Sequence, residues 1–204
     1  MRVWTSLVAV FALVVAAGCH NGKSTPSATA TTSTYATVAV RAPLFGTPAT
    51  MTVTSNAFAN GATIPVPEGQ NGCGGTNVSP DLSWSGAPAG TQSFVITEFD
   101  PDAPTGSGFW HWVLYNIPPT TTSIALGAGT NPPVGTSGLN DYGALGYGGP
   151  CPPVGDGPHH YHITVSALST MLTNMPANAT GAYVTFNMDG NVIGQGTYLG
   201  LYAR

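Results

Sequence analysis

The chain is built largely from short runs of β-branched and aromatic residues that alternate with polar residues. Clusters of glycine, proline and asparagine bound these runs, which is the sequence signature of β-strands. The runs read MTVTS, DLSWSG, SFVITEF, HWVLYNI, YHITVSAL, AYVTFNM and GTYLGLYAR. Helical patterns are confined to residues 169–178 and 190–196, and residues 118–158 have a loop-like composition. The sequence therefore predicts a mainly β protein, a sandwich or barrel with few short helices and long connections.

Charged residues make up only 6% of the chain, against roughly 25% in an average soluble domain. No lysine or arginine occurs between Ala42 and Ala203. Such a surface lacks the cationic footprint of nucleic-acid binding, so we expect no nucleic-acid partner. An anion bound by this part of the chain has to be held by backbone N–H groups, hydroxyls or imidazoles.

The first residues, MRVWTSLVAVFALVVAAGC, have the layout of an export signal. Arg2 precedes an apolar run, and small residues precede Cys19, while the run is too short for a typical membrane-spanning helix. The end of this stretch resembles a bacterial lipoprotein box, although Ala16 stands where leucine is usual. We expect a signal peptide at 1–18, a lipid on Cys19 and a place in the bacterial cell envelope. Ordinary secretion and a retained anchor are the alternatives.

Residues 19–44 are rich in serine and threonine and predict a flexible tether, which leaves residues 45–204 as one folded domain. If Cys19 carries a lipid, Cys73 and Cys151 remain as a pair. In an oxidising compartment such a pair is usually bonded, so we expect a disulfide. Two free buried thiols are the alternative.

The segment DPDAPTGSGFWHW, residues 100–112, places two carboxylates and an imidazole close together in a chain with few charges. A predicted strand ends at Asp100, prolines stiffen the backbone around Asp102, and the next strand begins near His111. The carboxylates and the imidazole are therefore expected at one end of a sheet. The alternative is that either aspartate only caps a turn, which is a frequent use of aspartate beside proline.

A second cluster, GYGGPCPPVGDGPHHYHITV, spans residues 146–165. Its glycines and prolines predict a rigid turn that leads into a strand, where alternation sends His159 and Tyr161 to one face and His160 and His162 to the other. That separation argues against a metal site, and packed or surface histidines remain the plain alternative. Neither a nucleophile elbow nor a phosphate-binding loop motif is present.

In their order and spacing, DPDAP, the His-Trp strand, GYGGPCPP and HHY resemble the phosphatidylethanolamine-binding protein family, specifically its bacterial Raf kinase inhibitor-like branch. The resemblance runs from about Cys73 onward. It implies an antiparallel β-sandwich of one large and one small sheet, with a small anion pocket for phosphorylated ligands or phospholipid head groups. The family commonly has His-Arg-Tyr where this chain has His159-His160-Tyr161, so an ion pair made by that arginine is missing or pH-dependent here.

The resemblance also implies the residues of the pocket and their roles. Imidazoles and loop N–H groups would donate to the phosphoryl oxygens, while a carboxylate orients His111 or meets an ammonium group. Whether Tyr198 or Tyr202 closes the pocket is left open. The implied ligand-binding residues are Asp100, Asp102, Pro104, His111, Gly149, Pro150, Cys151, Pro152, His159 and Tyr161.

The leading interpretation is a non-enzymatic binding module that needs no cofactor or metal and is tethered outside the cytoplasm. One alternative is a protease or kinase inhibitor that acts through surface loops such as 118–140. Another is a hydrolase of small esters, with His111 and Asp100 as acid and base.

Overall fold

The computed structural model describes residues 47–204, which contain nine β-strands and one α-helix. The strands are β1 (Ala49–Thr50), β2 (Thr52–Thr54), β3 (Leu82–Ser85), β4 (Ser93–Asp100), β5 (Phe109–Ile117), β6 (Ser123–Ile124), β7 (Thr136–Ser137), β8 (His159–Leu168) and β9 (Val192–Tyr202), and the helix is α1 (Gly181–Met188). One sheet has six strands in the order β1-β9-β8-β4-β5-β7, and the other has three in the order β2-β3-β6. The predicted mainly β fold with a large and a small sheet is confirmed.

The main core fills the space between the two sheets. Trp84 from β3 meets Phe94 from β4 with ring centroids 5.4 Å apart, and Trp112 of β5 is fully buried in the same cluster. Alternate residues of the long strands therefore point into this core, as the period-two pattern predicts.

The prediction of a strand for the run AYVTFNM is wrong. The run lies in α1, which covers the opposite face of the large sheet. Thr180 caps the helix by accepting the N–H of Tyr183. Val184 and Met188, four residues apart, are buried, while Phe186 is exposed. That spacing is helical, and it outweighs the local preference of β-branched and aromatic residues for strands.

Both predicted helices are also wrong. Residues 169–178 form a loop that the side chain of Asn116 pins in place, donating to the carbonyl of Leu172 and accepting its N–H. Most of 190–196 belongs to β9, which pairs along its length with β8. Gly196 permits a close crossing there, because a Cβ atom at this position would lie 2.4 Å from the carbonyl oxygen of Met51.

The sheet order brings the two chemical clusters of the sequence together. Strand β4 lies between β5 and β8 and runs antiparallel to both. The carboxyl end of β4 at Asp100 is therefore beside the beginnings of β5 and β8, where His111 and His159 are found. Antiparallel pairing alone makes one edge of the sheet the meeting point of these side chains.

Cys73 and Cys151 form the expected disulfide, with Cα atoms 5.6 Å apart. The predicted signal peptide at 1–18, the lipid attachment at Cys19 and the tether at 19–44 lie outside the described residues. Within residues 47–204, no helix combines the length and the apolar composition needed to cross a bilayer.

Candidate functional site

A cavity of about 170 Å³ opens at the end of the large sheet where β4 ends and β5 and β8 begin. This volume is smaller than the roughly 300–1,000 Å³ of pockets for drug-sized ligands, so the cavity suits a small ion or head group. The residues that line it are Asp100, Ala103, Pro104, Thr105, Phe109, His111, Tyr142, Cys151, Pro152, Pro153, His159 and Tyr161.

Asp100 and His159 form a buried pair on one side of the cavity. The imidazole Nδ1 lies 2.8 Å from Asp100 Oδ2, and the two residues are only 2% and 4% exposed. Asp100 Oδ1 accepts the N–H groups of Asp102 and Ala103, so the carboxylate both closes the turn after β4 and holds the imidazole. The turn-capping role and the orienting role of this aspartate are therefore combined in one side chain.

The second ring nitrogen of His159 faces another carboxylate. Its Nε2 lies 3.6 Å from Oδ2 of Asp156. Asp156 is on a loop, between Gly155 and Gly157. Asp156 is therefore a negative charge close to the atom that would meet a ligand. An entering anion has to compete with it or displace it.

His111 is buried on the other side of the cavity and has a defined tautomer. Its Nδ1 lies 2.7 Å from the carbonyl oxygen of Gly148 and 3.2 Å from that of Gly149. Because carbonyl oxygens only accept, Nδ1 carries a proton, and Nε2 of the neutral ring is an acceptor. Burial lowers the pKa of His111 below its usual value of 6.5. The predicted donation from His111 to an anion therefore requires the ring to take up a proton.

Aromatic rings surround His111 and shield the floor of the cavity. Phe109 and Tyr161 lie with ring centroids 4.8 Å and 5.1 Å from the imidazole, and Tyr142 lies 5.6 Å away. Shielding from water strengthens any interaction between a ligand and the imidazoles, because the local dielectric constant is low.

The loop that forms one wall is tightly braced. The disulfide joins Cys151 to Cys73, and the N–H of Gly149 donates to Asn77 Oδ1 over 2.7 Å. A Cβ atom at Gly149 would lie 2.0 Å from the carbonyl oxygen of Glu68, so only glycine fits there. This bracing keeps the wall in place before any ligand arrives, which lowers the entropy cost of binding.

The backbone of this wall offers fewer donors than the sequence suggests. The N–H of Gly149 is used by Asn77, and Pro150 and Pro152 have no N–H. Cys151 is therefore the one residue of this four-residue segment whose N–H can face a ligand. Loop N–H groups alone make a poor anion cradle here.

Seven of the ten predicted ligand-binding residues line the cavity, and Asp102, Gly149 and Pro150 do not. Asp102 instead accepts the backbone N–H of His160 over 2.8 Å and lies 2.7 Å from its Nδ1. Its side chain serves this surface pair because the chain turns directly after Asp100, which ends the alternation that would keep both aspartates on one face. Gly149 and Pro150 are buried in the wall, where their carbonyl oxygens accept from Tyr142 and Gln70.

Tyr198 and Tyr202 pack in the main core and do not line the cavity. The hydroxyl of Tyr198 donates to the carbonyl of Phe58. The predicted division of β8 holds: His159 and Tyr161 are buried on one face, and His160 is exposed on the other. Within residues 47–204, no group of three His, Cys, Asp or Glu side chains is arranged to hold a metal ion.

An unusual acid near the site was not predicted from the sequence. Glu98, two residues before Asp100, is fully buried in the main core, and neither carboxyl oxygen has a hydrogen-bond partner in the described part of the chain. Burial, reinforced by the nearby carboxylates of Asp100 and Glu68, raises the pKa of Glu98 to about 8. Glu98 is therefore a neutral acid at pH 7.

Phe109 and Tyr142 were also missed. Strand alternation places Phe109 on the same face as His111, so its position follows from a pattern already present in the sequence. Tyr142 reaches the cavity from the long loop before the wall and donates its hydroxyl to the carbonyl of Gly149 over 3.0 Å. No local pattern marks it.

The fold and the cavity together define a β-sandwich with a small binding site at one end of the large sheet, where two imidazoles and a carboxylate lie among aromatic rings and prolines. A family model described as phosphatidylethanolamine-binding protein matches residues 54–203. The chain therefore belongs to the phosphatidylethanolamine-binding protein family.

Several bacterial relatives are similar over most of the domain. The UPF0098 protein YbcL of Escherichia coli strain K12 is 50% identical over 127 residues, which cover 60% of this chain and 69% of YbcL. The protein LppC of Mycobacterium tuberculosis strain H37Rv, whose name proposes a lipoprotein, is 40% identical over 152 residues, 74% of this chain and 72% of LppC.

Solved structures agree with this assignment. The crystal structure of Escherichia coli YbcL, described as a new member of the mammalian PEBP family, superposes with a TM-score of 0.72 at 42% identity and covers 76% of this chain and 98% of that one. A proposed family homologue from Chlamydia trachomatis superposes with a TM-score of 0.67 at 33% identity, covering 76% and 98% of the two chains.

Proposed function

We propose that the chain is a non-enzymatic binding module for a small oxyanion, such as a phosphorylated ligand or the phosphoryl part of a phospholipid head group. The observation that carries the proposal is the pair of buried imidazoles in one small cavity. In both His111 and His159, Nδ1 is tied to a protein oxygen, so Nε2 is the nitrogen left for a ligand.

Protonation gives these rings the chemistry that an oxyanion needs. A protonated imidazole donates a charge-assisted hydrogen bond from Nε2, which is shorter and stronger than a neutral one. Because burial favours the neutral form of His111, the anion and the proton enter together. Affinity for the anion is therefore expected to rise as the pH falls toward 6.

The hydroxyl groups around the cavity favour binding over catalysis. Burial raises the pKa of Tyr142 and of Tyr161 far above the usual value of 10, so their phenolate forms are inaccessible. The hydroxyl of Thr105 donates its proton to the carbonyl of Gly108 rather than to an imidazole base. A nucleophile needs such an adjacent base.

Export of the domain is part of the proposal. The signal-like residues 1–18, the lipoprotein-like Cys19 and the similarity to LppC support a domain held at the outer side of a membrane by a lipid. At that place the cavity has access to phospholipid head groups as well as to small phosphorylated solutes.

The test is an NMR titration of the full chain with ¹⁵N-labelled histidine, using inorganic phosphate and phosphoethanolamine at pH 6 and pH 8. We expect shifts at His111 and His159 at millimolar ligand, larger at pH 6. His111→Gln should abolish the response, whereas His160→Gln, outside the cavity, should preserve it.

Two outcomes would reject the proposal. One is the absence of any response from either buried imidazole at both pH values. The other is turnover of a model phosphate or carboxylate ester that disappears in His111→Gln, since this result assigns the site to a hydrolase.

A further inference from the structure

Arg204 is the single lysine or arginine among residues 47–204, and the fold places it against the wall of the cavity. Its Nε donates to the carbonyl oxygen of Pro152 over 2.8 Å, and its main-chain oxygen accepts the N–H of Gly155 over 2.9 Å. The chain reaches this point because β9 pairs with β8 up to Tyr202, directly opposite His159.

The guanidinium is close to the cavity although Arg204 does not line it. Pro152, which holds its Nε, is a lining residue. Tyr142 is another lining residue, and the charge of Arg204 is one of the influences on its pKa, acting to lower it. The positive charge therefore acts on two lining residues of the same cavity.

The surroundings of the cavity make this one cation important. Asp100 lines the cavity, Asp156 lies 3.6 Å from Nε2 of His159, and Asp141 is close enough to His111 to influence its pKa. An oxyanion approaching these carboxylates is repelled unless a positive charge compensates. Two buried imidazoles supply such a charge only after they take up protons.

The guanidinium has donors to spare for a ligand. Arginine carries five N–H groups in a planar fork that matches two oxygens of a phosphoryl group, and it stays charged at any pH the protein meets. With Nε bound to Pro152, the four N–H groups on the terminal nitrogens remain. The bond to Pro152 holds the guanidinium beside a lining residue and leaves its terminal nitrogens unused by that contact.

We propose that Arg204 is the cationic contact of the oxyanion at the mouth of the cavity, taking two phosphoryl oxygens while the imidazoles hold the rest of the ligand. The inference rests on the proposed function, because it adds a residue to the same site. It applies equally to a free phosphate monoester and to the phosphodiester of a lipid head group, which share the phosphoryl oxygens.

The experiment measures the affinity of the full chain for phosphoethanolamine, a monoester, and for glycerophosphoethanolamine, a soluble phosphodiester head group, by calorimetry at two salt concentrations. Arg204→Gln removes the charge, Arg204→Lys keeps the charge without the fork, and Arg41→Gln removes an equal charge outside the described residues. Comparing the affinities for the two probes distinguishes the two sources of the ligand: tighter binding of the monoester favours a small phosphorylated solute, and tighter binding of the phosphodiester favours a lipid head group.

Arg204→Gln should weaken binding about tenfold, as expected for the loss of a charge-assisted contact. Binding by this variant should also depend less on salt than binding by wild type. Arg204→Lys should recover part of the affinity, and Arg41→Gln should bind as wild type. The salt dependence shows whether Arg204 contacts the ligand or only supports the loop at Pro152. Loss of a support would loosen the loop but would not change how salt screens the charge of the ligand.

Unchanged affinity in Arg204→Gln, with binding still lost in His111→Gln, would overturn the inference and leave the oxyanion site standing. A weaker affinity with an unchanged salt dependence would also overturn it and assign Arg204 to the support of the loop. If the wild-type chain binds neither probe, nor inorganic phosphate, the proposed function fails and this inference fails with it.

Discussion

Replacing Glu98 by glutamine should raise the free energy of unfolding relative to wild type progressively as the pH rises from 5 to 8. Glu98 is fully buried, and burial raises the pKa of its carboxyl from the usual 4.5 to about 8. In the unfolded chain this carboxyl loses its proton near pH 4.5, whereas the folded protein keeps it until about pH 8. Between these values the folded state binds more protons, so its stability falls as the pH rises.

The size of the effect follows from the displacement of the pKa. Each pKa unit corresponds to 1.36 kcal/mol, so the difference between 4.5 and about 8 corresponds to a penalty of roughly 5 kcal/mol above pH 8. At pH 7 the penalty is about 3 kcal/mol on the same basis. Below pH 4.5 both states are protonated and the penalty vanishes. Glutamine has nearly the same shape and no such penalty at any pH.

The assay is urea unfolding of wild type and Glu98→Gln at pH 5, 6, 7 and 8. Only the change of the difference with pH is diagnostic, because a buried amide has its own constant desolvation cost. Burial also raises the pKa of Glu68, without the large displacement seen at Glu98, so Glu68→Gln should show the same sign with a smaller slope. Parallel pH profiles for wild type and Glu98→Gln would refute the assignment of Glu98 as a neutral buried acid.

Three further changes test the site. Asp100→Asn removes the carboxylate that holds Nδ1 of His159 over 2.8 Å, so phosphate binding should weaken about tenfold and the ¹⁵N shifts of His159 should move in the free protein. Asp156→Asn removes the negative charge 3.6 Å from Nε2 of the same ring, so calorimetry should show phosphate binding several-fold tighter. Replacing both Cys73 and Cys151 by serine should cost about 4 kcal/mol in urea unfolding, because their sequence separation is 78.

Each of these has an outcome that contradicts its reasoning. For Asp100→Asn it is an unchanged affinity together with unchanged His159 shifts. For Asp156→Asn it is weaker binding, which would make that carboxylate a support of the site instead of a competitor. For the double serine variant it is an unfolding midpoint equal to that of wild type under non-reducing conditions.

Local patterns in the sequence carried the prediction of the sheets and of the meeting point of the site. The strand SFVITEF ends at Asp100, and HWVLYNI and YHITVSAL begin near His111 and His159. Once these strands pair antiparallel, their chemical ends have to meet. The burial of His159 and Tyr161 on one face of β8 likewise follows from alternation alone.

Other features depended on contacts between distant parts of the chain. The run AYVTFNM has strand-like residues, yet it forms α1 because a helix can bury Val184 and Met188 against the outer face of the large sheet. That face is formed by strands from distant parts of the chain and is not visible in the local sequence. The local preference for a strand was therefore misleading.

The sequence by itself determined which residue types are available: few charges, short alternating strands, and acids and imidazoles at strand ends. Tertiary structure alone decided that Asp100 enters the cavity while Asp102 pairs with His160, and that Arg204 returns to the cavity wall. The physical reason is range. Backbone periodicity sets the direction of a side chain within its own strand, whereas its partners across a turn or a whole domain are set by how the sheets pack.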